Sequence, residues 1–209
     1  MLSTKGNKYR FSYRPTEQAR GVHPYRMILY LFILASSMLF LVMIIALSVT
    51  ERAFVTDEFS VPKPFVLGSF FILFSSFSLV PCLECYQRED LATLRKSLGV
   101  TLILASAFVV CQYLGWKEML GQWSDLGSSR AATYLYILSG LHGVHYVVGL
   151  AGLVVIGLQW YRKRNDQVKN LIAITNPYEL LKLQLLSVYW HFLGVVWVLV
   201  FLYFLFVIY

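Results

Sequence analysis

The sequence is poor in charged residues, and those that it has are confined to short segments. Asp, Glu, Lys and Arg make up 14% of the 209 residues, and hydrophobic residues make up 58%. In an ordinary soluble domain about a quarter of the residues are charged. The composition therefore excludes a soluble globular domain. The net charge of +7 is explained by where the basic residues lie, so it does not indicate a nucleic-acid partner.

Carboxylates are missing from every long apolar run, and Glu84 stands only at the edge of one of them. A proton or ion pump normally carries an ionisable group deeper within its membrane spans. A small transporter would show inverted repeats or interrupted helices, and neither is found in this sequence. The chain alone therefore lacks the features of a transporter.

Cysteine is also scarce, with three residues in the whole chain. Cys82 and Cys85 form a CxxC pair, but a c-type haem motif would need His where Tyr86 stands. A zinc site would need a second ligand pair nearby, and the sequence offers none. Buried thiols in a reducing compartment explain these residues more simply.

Long apolar runs are what the sequence does have. A charge-free run of about 18 or more residues is a candidate transmembrane helix, and only helices or closed barrels satisfy their backbone within lipid. The runs are too continuous for barrel strands, which alternate and are about 10 residues long. We predict an all-α polytopic membrane protein, a bundle of five helices in one domain over 27–209. The predicted spans are about 27–49, 64–83, 97–116, 131–161 and 183–209.

The basic residues indicate the orientation of the bundle. Of the 18 Lys and Arg residues, 14 lie in three segments on the same side: 1–26, 88–96 and 162–182. The positive-inside rule then predicts a cytoplasmic N-terminus and an external C-terminus. Residues 1–26 have the composition of a transit peptide, but a basic cytoplasmic tail bound to anionic headgroups is the simpler explanation, and we predict the tail.

The fourth predicted span carries two histidines. His142 and His145 fall within one stripe of roughly 80° on the helix, together with Gly149, Gly152 and Ile156. Small residues let two helix backbones approach closely. We expect this face to press on another helix, with both imidazoles hydrogen-bonding across the gap, and Gly149→Leu or Gly152→Leu to weaken assembly.

The fifth span carries a third histidine and two tryptophans. His191 shares a stripe with Gln184 and Ser187, whereas Trp190 and Trp197 share a different one. At 1.5 Å per residue, we expect His191 to lie more than 10 Å in depth from the other two histidines, which argues against a shared metal site. We predict inter-helix hydrogen bonding for these histidines, with no catalytic, cofactor-binding or metal site in the chain; a metal or haem site and a proton relay are the alternatives.

Three further residues are candidates for contacts. Gln112 lies on a polar stripe of the third span, where it would contact a neighbouring helix or subunit. Glu84 and Arg130 lie at the ends of spans, where they would contact lipid headgroups. Pro81 is expected to kink or end the second span.

Two motifs give the sequence a family resemblance. The segment 139–145 (SGLHGVH), followed by Gly149, resembles the penultimate-helix signature of haem-copper oxidase subunit III. The segment 189–192 (YWHF), followed by 195–197 (VVW), resembles the last-helix signature of the same family. Looser matches are Ser75, Ser76, Ser78, Leu79, the turn 88–90 and Gln112. The resemblance covers about residues 62–209 and fits the five-helix form of the family.

The resemblance implies a non-catalytic subunit of an oxygen-reducing, proton-translocating cytochrome c oxidase in a bacterial cytoplasmic membrane. Such a subunit carries no redox centre of its own. It packs on the catalytic subunit I beside subunit II, holds phospholipid and supports proton uptake, while haem and copper reside in its partners. Membership of a larger respiratory supercomplex is also consistent with it.

Departures from the family pattern limit what is carried over. Gly194 stands where the family usually has an acidic residue. Ser36 and Ser37 are the only polar residues where the long form has a buried Glu. Carboxylate-linked roles are therefore not assigned here. The alternatives are subunit III of a quinol oxidase, an accessory protein of nitric oxide reductase and, from another class, a haem-binding electron-transfer protein that uses the same histidines.

Overall fold

The computed structural model describes residues 24–50, 62–126 and 130–208, and the side chains of 50, 122–135 and 207–208 are outside the description. Most of the predicted basic tail, residues 1–23, also lies outside the described residues. Every regular element within the described ranges is an α-helix. The helices are α1 (Pro24–Thr50), α2 (Lys63–Leu79), α3 (Pro81–Gln87), α4 (Leu91–Leu126), α5 (Arg130–Arg162), α6 (Gln167–Thr175) and α7 (Pro177–Ile208).

Five helical stretches are long and apolar enough to cross a membrane, with α2 and α3 together forming one of them. They are Pro24–Val49, Lys63–Gln87, Leu91–Gly121, Tyr136–Arg162 and Pro177–Phe206. The protein is therefore an all-α, multi-pass membrane protein, as the apolar runs predict.

Pro81 interrupts the second span as expected. Helix α2 ends at Leu79, Val80 forms a turn, and Pro81 is the first residue of α3. Proline has no N–H to continue the helix, and its ring clashes with the carbonyl four residues earlier. The missing donor costs little at the start of a new helix. The span is therefore broken at Val80 and continues as α3 towards the membrane boundary.

The helices extend well beyond the predicted spans. Helix α4 begins at Leu91 rather than near residue 97, and α7 begins at Pro177 rather than near residue 183. Charged residues mark where a helix leaves lipid, and they are good helix formers outside it. Apolar runs therefore locate the membrane segments correctly but underestimate the helices that contain them.

The connection between α3 and α4 is a tight turn. Glu89 has a φ of 60°, and the Asp90 carboxylate accepts a hydrogen bond from the Thr93 backbone N–H at 3.1 Å. Hydrogen bonds from Thr93 lower the pKa of Asp90, because they stabilise the charged form. The carboxylate thus caps α4, and only residues 88–90 are non-helical.

Helix α7 occupies the centre of the bundle. It packs on α1, α2, α3, α5 and α6, and 56% of its most apolar window is buried within the protein, against 11% for α1. The described core accordingly contains Trp190, Leu193, Trp197 and Val200 of α7. Helix α1 lies at the periphery, where it packs on α5 and α7.

Two glycines bring α2 and α4 close together. A Cβ placed on Gly68 would lie 3.3 Å from the Cys111 Cβ. A Cβ on Gly115 would lie 2.6 Å from the Phe65 ring. Phe65 is itself buried against Trp197, with ring centroids 6.0 Å apart, so it has little room to move. Each glycine therefore lets a side chain of the other helix fill the space of its missing Cβ.

We expect Gly115→Ala to destabilise the bundle by about 1–3 kcal/mol, as overpacking a filled core does. The matched control is Gly99→Ala in the same helix, where an added Cβ meets nothing within 4 Å. That variant should be neutral or stabilised by up to about 1 kcal/mol, because alanine is the better helix former. Unfolding in mixed micelles measures both, and equal stabilities would contradict this account of the α2–α4 contact.

Candidate functional site

The contact between α2 and α7 is built from tryptophan and serine. Trp197 Nε1 donates to Ser69 Oγ at 2.9 Å, and Trp190 Nε1 donates to Ser75 Oγ at 3.1 Å. Each serine hydroxyl donates in turn to a carbonyl of its own helix, Phe65 O at 2.9 Å and Ile72 O at 2.8 Å. Both indoles are fully buried, so their N–H groups depend on these serines for a partner.

Two more serines complete this row, which we call the serine ladder: Ser69, Ser75, Ser76 and Ser78. Ser76 Oγ hydrogen-bonds His191 Nδ1 of α7. The Ser78 hydroxyl lies 2.7 Å from the Thr101 hydroxyl of α4. The serine ladder therefore connects α2 to α7 on one side and to α4 on the other.

His145 links α5 to α1 and to α7. Its Nδ1 lies 2.8 Å from the Leu141 carbonyl, and its Nε2 lies 3.1 Å from Ser36 Oγ of α1. Because a carbonyl only accepts, Nδ1 carries the proton in the neutral ring and Nε2 accepts from the serine. Tyr189 Oη donates to the His145 carbonyl at 3.0 Å. The expected hydrogen bond across the helix gap is thus present at His145.

His142 differs from that expectation. It is 2% exposed, yet neither ring nitrogen has a hydrogen-bond partner within the described part of the chain. Its ring packs among those of Trp197, Tyr146, Phe40 and Phe108, at centroid distances of 5.3, 6.2, 6.5 and 6.5 Å. The prediction that both imidazoles hydrogen-bond across the gap is therefore wrong for His142. Its neighbouring donors are already engaged, since Trp197 donates to Ser69 and Tyr146 donates to the Ala105 carbonyl.

The three histidines face different helices. His145 meets α1, His191 meets α2, and His142 lies in the aromatic cluster. Gly149 stands opposite Tyr189 and Leu193, so His145 is only about 6 Å in depth from His191 at 1.5 Å per residue. The predicted separation of more than 10 Å is wrong for that residue. No group of three or more His, Cys, Asp or Glu that could hold a metal occurs among the described residues.

The small residues of the α5 stripe differ in how tightly they pack. A Cβ on Gly149 would lie 2.5 Å from Leu193 Cδ1 and 3.1 Å from Tyr189 Cε1. A Cβ on Gly152 would make ordinary contact with Leu186 Cδ1 at 3.9 Å. The expected close approach is therefore present at Gly149, where an added Cβ would force the buried Leu193 to shift. At Gly152 a Cβ fits, and the effect of a leucine there stays a prediction.

The other sequence candidates lie at the edges of this core. Gln112 lies next to Gly68, and a Cβ there would be 3.2 Å from its Nε2. Glu84 is exposed and pairs with Arg88 at 3.6 Å, a surface ion pair of little energetic weight. The side chain of Arg130 lies outside the described residues.

Sequence reasoning missed a buried carboxylate at the end of the bundle where α5 meets α7. Glu179 is 8% exposed, and its Oε1 accepts from Lys163 at 3.0 Å and Lys182 at 2.9 Å. Because α7 begins before the apolar run, Glu179 falls in its first turn rather than in a loop. Glu179 and Lys182 are three residues apart on one helix, and this spacing could have predicted their ion pair. Nothing in the sequence predicted that Lys163, in the turn just after α5, would join them.

Arg26 was also missed, because it was counted with the basic tail. It lies in α1, and its guanidinium donates to Gln184 Oε1 of α7. The two residues border a groove of about 200 Å³ between α1, α3 and α7. The groove is lined by Arg26, Leu29, Tyr30, Leu83, Gln184, Leu185, Ser187 and Val188.

Known proteins resemble the chain over most of its length, although no family model matches it. The quinol oxidase subunit 3 of Bacillus spizizenii is 27% identical over 152 residues, 73% of this chain and 70% of the relative. The cytochrome c oxidase subunit 3 of Bacillus sp. strain PS3 is 26% identical over 145 residues, 69% and 65%. The cytochrome bo(3) ubiquinol oxidase subunit 3 of Buchnera aphidicola is 29% identical over 136 residues, 65% of each.

The chain is similar to haem-copper oxidase subunits III over roughly 70% of its length. Its homologues include both cytochrome c and quinol oxidase subunits, and this similarity supports an oxidase subunit III. The two segments that carry the family resemblance contact each other, because Tyr189 of one donates to the His145 carbonyl of the other. In this protein the two motifs lie at the contact between α5 and α7.

We expect Gly149→Ala to lower the stability of this protein by about 1–3 kcal/mol. Gly157→Ala is the matched control in the same helix, because an added Cβ there meets nothing within 4 Å. Gly152→Ala should resemble the control. Unfolding midpoints in mixed micelles check the order, and a Gly152 variant as unstable as the Gly149 variant would contradict the observed geometry.

Removing a serine from the ladder should leave a buried indole N–H without an acceptor. We expect Ser69→Ala and Ser75→Ala each to cost about 0.6–2 kcal/mol of unfolding free energy. The control is Ser106→Ala on α4, whose exposed hydroxyl bonds only its own helix at Leu102 O. In a Trp197→Phe background, Ser69→Ala should lose most of its effect, and an unchanged effect would show that the hydrogen bond is not the cause.

Proposed function

We propose that this protein is subunit III, the non-catalytic subunit, of a bacterial cytochrome c oxidase. In this role it packs on the catalytic subunit I, beside subunit II, and stabilises it. Its spans cross the cytoplasmic membrane with the N-terminus inside and the C-terminus outside. Haem and copper reside in the partner subunits, and the complex reduces oxygen and translocates protons. The chain supports proton uptake through the way it holds subunit I.

The hydrogen bonds and packing of the histidines within the spans support this proposal. His145 uses both ring nitrogens, towards Leu141 and Ser36, and His191 uses Nδ1 towards Ser76. Binding a redox metal through His145 would break one of the contacts that join α5 to its neighbours. His142 is enclosed by aromatic rings rather than by further ligand residues. These residues hold helices together, which is the task of a scaffold subunit.

Bound phospholipid is part of the proposal. The groove between α1, α3 and α7 combines the Arg26 guanidinium with apolar side chains such as Leu29 and Val188. An arginine fits a phosphate headgroup and the aliphatic wall fits an acyl chain. Arg26 is thus a better candidate for a headgroup ligand than Glu84, which carries the wrong charge for a phosphate. Arg130 remains a candidate at the other end of the bundle.

Purification tests the proposal directly. The tagged chain should co-purify with a haem-bearing subunit from its native membrane, and the separated chain should give no pyridine haemochrome signal. A stable monomer without such a partner would refute the scaffold role. A haemochrome from the chain alone would favour the electron-transfer alternative.

The electron donor is a separate measurement, since relatives of both kinds are similar to this chain. We expect the assembled complex to oxidise reduced cytochrome c faster than quinol. The opposite preference would assign the chain to a quinol oxidase.

A scaffold role also predicts how His142 responds to substitution. We expect His142→Ala to reduce the yield of assembled complex, because it empties the space among four aromatic rings. His142→Phe should assemble well, because a ring of similar size without unpaired polar atoms suits that environment. Oxygen consumption per haem should be unchanged in whatever complex assembles. A normal yield with lost turnover in both variants would indicate a redox or proton-transfer role instead.

A further inference from the structure

Helix α6 carries an apolar face that the bundle does not cover. Val168, Leu171 and Ile172 are 66%, 66% and 59% exposed, and they fall within about 100° of one another around the helix. Ala173 lies on the opposite side and is buried. The apolar face of α6, defined by Val168, Leu171 and Ile172, therefore points away from the protein.

The position of α6 is fixed at the end of the membrane spans. The span before it ends at Arg162 and the span after it begins at Pro177, so both ends of α6 are tied to the membrane boundary within a few residues. Asp166 caps its start by accepting from the Val168 and Lys169 N–H groups, each at 3.1 Å. Near its end, Tyr86 Oη donates to the Ala173 carbonyl at 2.9 Å. These contacts hold α6 against the bundle with its apolar face outward.

The residues around the apolar face are basic and aromatic. Arg162, Arg164 and Lys169 lie within two turns of it and are exposed. Tyr161 and Tyr178, each 58% exposed, stand beyond the two ends of α6. Tyrosines at this level and basic residues beside an apolar helix face are typical of the lipid–water interface. The centre of a protein interface, in contrast, is depleted of charged residues.

We propose that α6 is an interfacial helix whose apolar face is immersed in the headgroup region of an anionic lipid leaflet. Arg162, Arg164 and Lys169 bind lipid phosphates beside it. The Lys163 and Lys182 ammonium groups are held by the buried Glu179 carboxylate, so they contribute less. Lys169 has an ion pair with Asp166 at 3.0 Å, but that pair is exposed and therefore weak. This surface lies on the opposite side of α6 from the bundle, it is separate from the groove at Arg26, and the proposal does not depend on the partners of the oxidase.

Site-directed spin labelling tests the proposal on the full chain in lipid nanodiscs. A nitroxide is placed at Leu171→Cys, and at Val168→Cys as a second reporter, after Cys82, Cys85 and Cys111 are changed to Ala. Arg88→Cys, an exposed position in the α3–α4 turn at the same end of the bundle, is the control. In phosphatidylglycerol discs, oxygen should relax the labels on α6 more than a water-soluble nickel chelate does. At position 88 the chelate should relax the label more than oxygen does.

Either of two other results would overturn the proposal. Dominance of the chelate at positions 168 and 171 would place the face in water. Protection from both reagents, in the chain or in its co-purified assembly, would place it against protein. Replacing Arg162, Arg164 and Lys169 by Gln tests the role of charge. The ratio of spin label immersed in lipid to spin label moving freely in water should fall about fivefold for each basic residue removed. An unchanged ratio would refute phosphate binding by these residues.

Discussion

The structure depends on hydrogen bonds that serine side chains supply within the bilayer. In lipid no water is available to satisfy a buried polar group, so the indoles of Trp190 and Trp197 need acceptors from the protein itself. Ser75 and Ser69 provide them, and Ser76 does the same for His191. Because the apolar surfaces of the helices are as well solvated by lipid tails as by one another, these directional contacts decide which faces meet.

Close packing is the complement of those hydrogen bonds. Glycines at positions 68, 115 and 149 let α2, α4, α5 and α7 approach closely enough for short serine side chains to reach across. Helix α7 then lies among all the others, and the two family motifs become one contact. The same arrangement explains why a subunit of a redox complex carries buried histidines. They serve either as hydrogen-bonding links, as at His145 and His191, or as aromatic packing, as at His142.

Much of this could be predicted from the sequence, because bilayer thickness sets the length of an apolar run and charge-free stretches are easily recognised. The five spans, the break at Pro81 and the tight packing of Gly149 follow from local pattern. What escaped prediction depends on tertiary contacts. The buried Glu179 is paired with Lys163 from the turn after α5, and the neighbours of His142 bond elsewhere, which leaves its ring without a partner among the described residues. Helix α6 was missed because it lies in a charged segment where no apolar run marks it.

The peripheral position of α1 has a consequence for biogenesis. Helix α1 packs on α5 and α7, which leave the ribosome after it, so α1 enters the bilayer before the helices that it contacts have been translated. Helix α7 then completes the core by inserting among helices already present. A nascent chain interrupted before α7 would leave Ser69 and Ser75 without the indole N–H groups that they accept from in the complete bundle.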